Sequence, residues 1–174
     1  MKLLGISGSL RRESTNTKLV LEAARVSGTD RFKLADIDLP LFNEDVEAEG
    51  LPDGVARLMD QIESADALVI STPEYNKAPP GALKNALDWV SRRRPMPTVG
   101  KPVAVISASA GIAGGQRAKF ALYLMLMAFD VRLIPNPEVN LGASAKKFDE
   151  AGRLTDETAE KLLTDLMGKL RAAV

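Results

Sequence analysis

The sequence predicts an α/β fold in which a parallel sheet carries helices on both faces, and two observations predict it. Apolar segments of strand length alternate with amphipathic segments of helix length along all 174 residues. Parallel neighbours need crossover connections, and right-handed crossovers cover the sheet. The runs at 67–71 (ALVIS) and 102–106 (PVAVI) are almost continuously apolar, as central strands covered on both sides must be. The length, set against about 150 residues for an ordinary domain, predicts one domain spanning 1–174.

The elements follow in order. Residues 2–6 (KLLGI), 31–35 (RFKLA), 67–71, 102–107 (PVAVIS) and 131–134 (VRLI) read as five strands. Helical stretches lie near 15–27, 53–64, 80–92, 114–129 and 156–172. Asp53 can cap the second helix, Pro80 suits the first turn of the third, and Thr155 before Asp156 and Glu157 starts the last. In that last helix Leu162, Leu166 and Leu170 recur every four residues with Leu163 and Met167 beside them, an apolar face for the sheet. The stretches 36–52, centred on LPLF, and 135–154, rich in Pro, Gly and charge, read as long loops.

Composition removes whole classes of chemistry. Lys plus Arg and Asp plus Glu both number 23, so no global field attracts nucleic acid or an anionic membrane, and neither partner is expected. There is no Cys and no His. Thiolate nucleophiles, serine–histidine triads and His- or Cys-bound metals are excluded, and no metal site is expected. An enzyme of this composition works through carboxylate, Lys, Tyr or Arg chemistry, or through a cofactor that brings its own reactivity. The opening MKLLGISGSLRR is too short in apolar residues for a signal peptide, and no segment approaches the ~20 apolar residues of a membrane span. With no cysteine, the chain reads as cytoplasmic.

In open parallel sheets ligands bind beyond the carboxyl ends of the strands. The loop after the first strand, Ser7 to Thr17 (SGSLRRESTNT), combines a Gly, several hydroxyls, two Arg and a helix start, the outline of a phosphate cradle. It is neither a GxGxxG fingerprint nor a Walker loop. Its bland alternative is a polar turn in which Ser14 or Thr15 caps the helix. The loop after the third strand, Thr72 to Gly81 (TPEYNKAPPG), is stiffened by prolines around a carboxylate, an aromatic ring and an amide, and suits a planar ligand. There Tyr75 can equally be a hydrophobic cover and Asn76 a turn residue. The loop after the fourth strand, Ser107 to Gly115 (SASAGIAGG), has small side chains that leave room for a flat ring, or is a plain strand-to-helix turn. The following QRAKFALYLMLMAF is apolar nearly all round, which points to a homodimer contact as an alternative to deep burial. Lys84 and Asp88 read as a surface pair, Trp89 as core, and Arg92-Arg93-Arg94 as either a solvated helix end or a phosphate contact.

At these loops the sequence resembles the NADPH-dependent FMN reductase family, which includes bacterial chromate, quinone and azo-dye reductases. The likeness rests on GSLRRESTN, LPLFNEDVE, PEYNKAPPGALKNALDWVSR and GKPVAVISASAGIAGGQRA, which together span nearly the whole chain. It implies a flavodoxin-like three-layer sandwich with a five-stranded parallel sheet in the order 2-1-3-4-5. It implies further that Ser9, Arg11, Ser14, Asn16 and Thr17 hold the FMN phosphate, that Pro73, Glu74, Tyr75 and Asn76 line the isoalloxazine, and that Ser109 and Gly111 flank it. Two positions bear on acceptor preference: Ala78 stands where many relatives have Ser, and Lys77 borders the open face of the flavin. The activity implied passes hydride from NADPH or NADH through bound FMN to a quinone, chromate, azo or flavin acceptor in a ping-pong order, with no catalytic side chain and with Glu74 orienting its loop. A homodimer or homotetramer is expected. The alternative is a flavodoxin-type electron carrier, although such carriers are strongly acidic and this chain is neutral.

Overall fold

The computed structural model describes residues 1–174. Five sheet positions are filled in the order β2-β1-β3-β4-β5, by β1 (Leu3–Ser7), β2 (Phe32–Ala35), β3 (Ala67–Thr72), β4 (Pro102–Ala108) and β5 (Arg132–Leu133). Every pairing is parallel. The expected order holds, with one correction: the last position is shared by two short strands. β5 pairs with the start of β4, and β6 (Asn140–Leu141) pairs with its end, giving six strands. Between them the chain leaves the ladder at Pro135 to Pro137, where proline supplies no N–H for a partner.

The helices are α1 (Thr15–Ser27), α2 (Glu44–Ala48), α3 (Asp53–Ser64), α4 (Gly81–Val90), α5 (Gln116–Leu126) and α6 (Glu157–Ala172). Alternate strand residues feed two apolar clusters of nearly equal size, 18 and 17 buried residues, so both faces of the sheet are covered. Leu4, Ile6, Leu68 and Ile70 meet α3, α4 and α5 on one face, and Leu3, Val69, Ala104 and Ile106 meet α1 and α6 on the other. No helix is long and apolar enough to cross a membrane.

Several local expectations shift. Pro52, not Asp53, occupies the cap position of α3, and Pro80 occupies that of α4. Asp156 caps α6 by accepting from the Ala159 N–H, so Thr155 lies one residue outside. The buried stripe of α6 is Leu163, Leu166, Met167 and Leu170, while Leu162 is 38% exposed. The long loop at 36–52 contains α2, capped by Asn43, and Trp89 and Asn85 of α4 tie down the LPLF stretch through the Pro40 carbonyl at 2.8 and 2.9 Å. Trp89 is fully buried, as expected of core, and its ring meets Phe42 edge-on. Lys84 and Asp88 form the expected pair at 2.6 Å.

Candidate functional site

Three loops converge beyond the carboxyl ends of β1, β3 and β4 around a cavity of about 340 Å³, a size that suits a small-molecule site. On the first loop the Ser14 hydroxyl accepts from the N–H groups of Asn16 and Thr17, capping α1. The Ser9 hydroxyl accepts from the Arg11 N–H. Each oxygen thus receives protein donors while its own proton meets no acceptor in the chain. Arg11 is exposed at the rim, and its guanidinium donates to the Glu13 carbonyl at 3.0 Å.

Asn16 binds the loop to the sheet. Its amide donates to the Ala108 carbonyl at 2.9 Å, and its oxygen accepts from the Ser71 hydroxyl at 2.8 Å and the Ala108 N–H at 3.1 Å. One side chain on α1 thereby joins the ends of β3 and β4. Thr17 turns inward too, donating to the Ser7 hydroxyl at 2.8 Å.

The second loop is held at both ends. Glu74 carries its carboxylate to the start of α5, accepting from the Arg117 and Ala118 N–H groups at 3.1 and 3.3 Å, with the Arg117 guanidinium 3.5 Å away. A carboxylate there satisfies orphan helix donors and faces the positive end of the dipole. Tyr75 and Ala78 exchange two backbone hydrogen bonds across Asn76 and Lys77, whose φ values of 52° and 67° make the tight primed turn of a two-residue hairpin. Asn is favoured in such a turn and Lys is not. Tyr75 is half-exposed over the cavity mouth.

On the third side Ser109 lines the cavity, its hydroxyl donating to the Gly111 carbonyl at 3.3 Å. Its backbone is tied to the segment after β6, through the Leu141 carbonyl and the Ser144 N–H, both at 3.0 Å. Gly142 makes that approach possible: a Cβ there would lie 2.2 Å from the Ile112 carbonyl oxygen. This segment brings Ser144 and Ala145 to the cavity wall. Ser144 is 97% buried by its 3% exposure, and its hydroxyl lies 3.0 Å from that of Thr15.

Of the residues singled out in the sequence, Ser9, Arg11, Ser14, Asn16, Pro73, Glu74, Tyr75 and Ser109 border this one cavity. Thr17, Asn76 and Gly111 do not: Thr17 lies behind the first loop, Asn76 occupies the hairpin tip, and Gly111 offers its carbonyl to Ala143 and Gly114. Sequence reasoning missed Ser144 and Ala145, which no motif marks, and gave Thr15 only a capping role. The arginine run is structural at its first two members, Arg92 pairing with Glu47 and Arg93 with Asp60 and Glu63. A larger hollow of about 440 Å³ lies at the amino end of the sheet, where exposed Lys2, Arg31 and Lys33 mingle with Asp30. Parallel sheets carry ligands at the opposite end.

Helix α5 presents two different sides. Leu122 and Leu126 are buried, whereas Phe120 and Leu124, continued by Met127 in the turn that follows the helix, are 49%, 72% and 74% exposed at i, i+4 and i+7. On its inner side Lys119 is wholly buried, 3.4 Å from Glu138. Burial pulls its ammonium below the usual lysine value, against the pull of the Glu138 charge. The neighbouring Tyr123 hydroxyl, buried without a partner, is pushed up to about 12, chiefly by burial.

Fold and cavity define a class, doubly wound α/β proteins whose ligand hollow sits at the carboxyl end of a parallel sheet and is walled by hydroxyls. The comparisons with known proteins narrow it. The NADPH-dependent FMN reductase family matches residues 1–146, and the chain belongs to that family. An NAD(P)H-dependent FMN reductase of Pseudomonas aeruginosa is 44% identical over 173 residues, covering 98% of this chain and 94% of the relative. A quinone reductase of Escherichia coli K12 is 36% identical, covering 99% and 93%. Among solved structures, a flavoenzyme NAD(P)H:(acceptor) oxidoreductase of Paracoccus denitrificans superposes with a TM-score of 0.88 at 35% identity, covering 98% of this chain and 95% of that one.

Proposed function

We propose that this single 174-residue domain is an FMN-dependent NAD(P)H oxidoreductase, with FMN held in the three-loop cavity and a quinone, chromate, azo compound or flavin as acceptor. One observation carries the assignment of the cofactor to this hollow. Ser9, Ser14 and one member of the Thr15–Ser144 pair each have a hydroxyl proton with no acceptor in the chain, Arg11 stands at the rim, and the carboxylate in the lining, Glu74, is spent on α5. A lining of unspent hydroxyl donors, with its carboxylate already satisfied by α5, favours an anionic ligand.

When bound, FMN supplies hydride acceptance from a nicotinamide and delivery of reducing equivalents to an acceptor. The chain's part is binding and orientation. Ser9, Ser14 and Arg11 hold the phosphate; Asn16 and Thr17 keep α1 in place behind them. Pro73, Tyr75 and Ser109 border the ring, and Glu74 fixes the Tyr75 turn against α5 rather than moving protons. Asn76 and Gly111 act through their loops' backbone. Donor and acceptor take the same place beside the ring in turn, a ping-pong order. Phe120, Leu124 and Met127 form an uncovered apolar line that a second copy would bury, so the reading includes a homodimer, or a homotetramer built from it. The absence of cysteine suits a cytoplasmic setting.

A visible absorption spectrum before and after anaerobic NADPH tests the proposal. A bound yellow chromophore that bleaches supports it, and steady turnover of NADPH with an added quinone separates an enzyme from a carrier. A colourless protein that takes up no FMN on titration refutes it.

A further inference from the structure

We infer that Ser144 is a phosphate-anchoring residue, so that the segment after β6 adds a wall to the cavity facing the start of α1. The inference rests on the FMN reading above. Ser144 is buried to 3% exposure, lines the same cavity as Ser9 and Ser14, and has a single side-chain partner, the Thr15 hydroxyl at 3.0 Å.

Two hydroxyls that share one hydrogen bond own two protons, and only one lies between them. The second belongs to whichever oxygen accepts, and no acceptor in the chain takes it. With the half-exposed Thr15 hydroxyl donating to Ser144, the free proton sits on buried Ser144 and meets an anionic oxygen entering the cavity; without the Ser144 oxygen to hold it, the Thr15 hydroxyl has no fixed direction.

The backbone places Ser144 there for a reason that core packing does not supply. Its N–H donates to the Ser109 carbonyl at 3.0 Å, and Ala143 donates to the Gly111 carbonyl at 3.3 Å. The Ile112 carbonyl lies where only a glycine at 142 fits. The loop after β4 and the segment after β6 are thus locked together, and Ser144 reaches across to the start of α1. A phosphate held there would be gripped from two directions by elements 129 residues apart in sequence.

Riboflavin lacks the phosphate of FMN, so titrating the apoprotein with each isolates the contact. In Ser144→Ala the FMN dissociation constant should rise roughly tenfold, the scale of one hydrogen bond to a charged group, while that of riboflavin stays as in the wild type. The wild-type preference for FMN over riboflavin should therefore shrink by that factor, and Ser144→Thr, which keeps the hydroxyl, should retain it. Melting of each apoprotein checks the fold; the alanine variant strands only the half-exposed Thr15 hydroxyl. A Ser144→Ala protein with undiminished preference for FMN overturns the inference, whether or not its melting temperature falls. If the wild type binds neither flavin, the FMN reading itself fails, and this inference with it.

Discussion

Replacing Asn16 by alanine tests whether the first loop is held by the sheet or by its ligand. The side chain is 3% exposed and makes three hydrogen bonds, to the Ala108 carbonyl, the Ala108 N–H and the Ser71 hydroxyl. At about 1 kcal/mol net for each neutral bond the loss is roughly 3 kcal/mol, and the stranded Ala108 groups push it upward. For a chain of this length that corresponds to a fall in Tm of roughly 6–12 °C. Thermal or urea unfolding of the apoprotein, freed of flavin, is the assay. Asn16→Asp should cost more at neutral pH, since it sets a carboxylate oxygen against the Ala108 carbonyl and buries a charge, and should recover part of the loss as the pH falls. An apoprotein of unchanged Tm in Asn16→Ala, with weakened FMN binding alone, would refute the clamp and make Asn16 a direct ligand residue.

Arg11→Ala should weaken FMN binding by roughly 1.5–3 kcal/mol with little change in apoprotein stability, since the guanidinium's one internal bond is to an exposed carbonyl; isothermal titration measures it. Glu22 is buried beneath Arg25, Arg153 and the Leu154 N–H; burial raises its pKa, but these partners together overcome that and hold it below its usual 4.5. A depressed folded value means that its stabilisation is present above about pH 4.5 and is lost as the pH falls through the folded value. Glu22→Gln should therefore cost about 1.5–3 kcal/mol at pH 7, and the gap to wild type in urea unfolding should close in acid. Leu124→Glu should convert an oligomer to monomer in sedimentation, because it puts a charge at the centre of the exposed α5 line; an unchanged mass would place the contact elsewhere.

The architecture was legible because the strongest signals are the long ones. β3 and β4 are buried along their full length, α3 buries four residues on one side, and α4 buries six, four of them apolar and facing the sheet, so hydrophobic pattern and burial agree. The short elements were not legible. α2 has five residues, none buried, and only Asn43 ahead of Glu44, Asp45 and Glu47 could have marked its start. β6 has two residues, too few for any period. The same limit hid Ser144, whose place at the cavity depends on where β6 docks against β4 rather than on its own neighbours in sequence. Within the first loop, sequence marks which side chains are polar but not which way each faces. Asn16 and Thr17 turn towards the sheet while Ser9 and Ser14 keep free protons, a division made by helix phase and by the Ser14 cap.

The broken last position of the sheet has a consequence for how copies of this protein can meet. A continuous outer strand exposes a row of amide groups on which another chain can template itself, the usual first step towards fibrils. Here β5 and β6 contribute two residues each, and the prolines between them interrupt the row. No incoming strand finds a run long enough to zip onto, so growth of the sheet by addition is blocked on that flank.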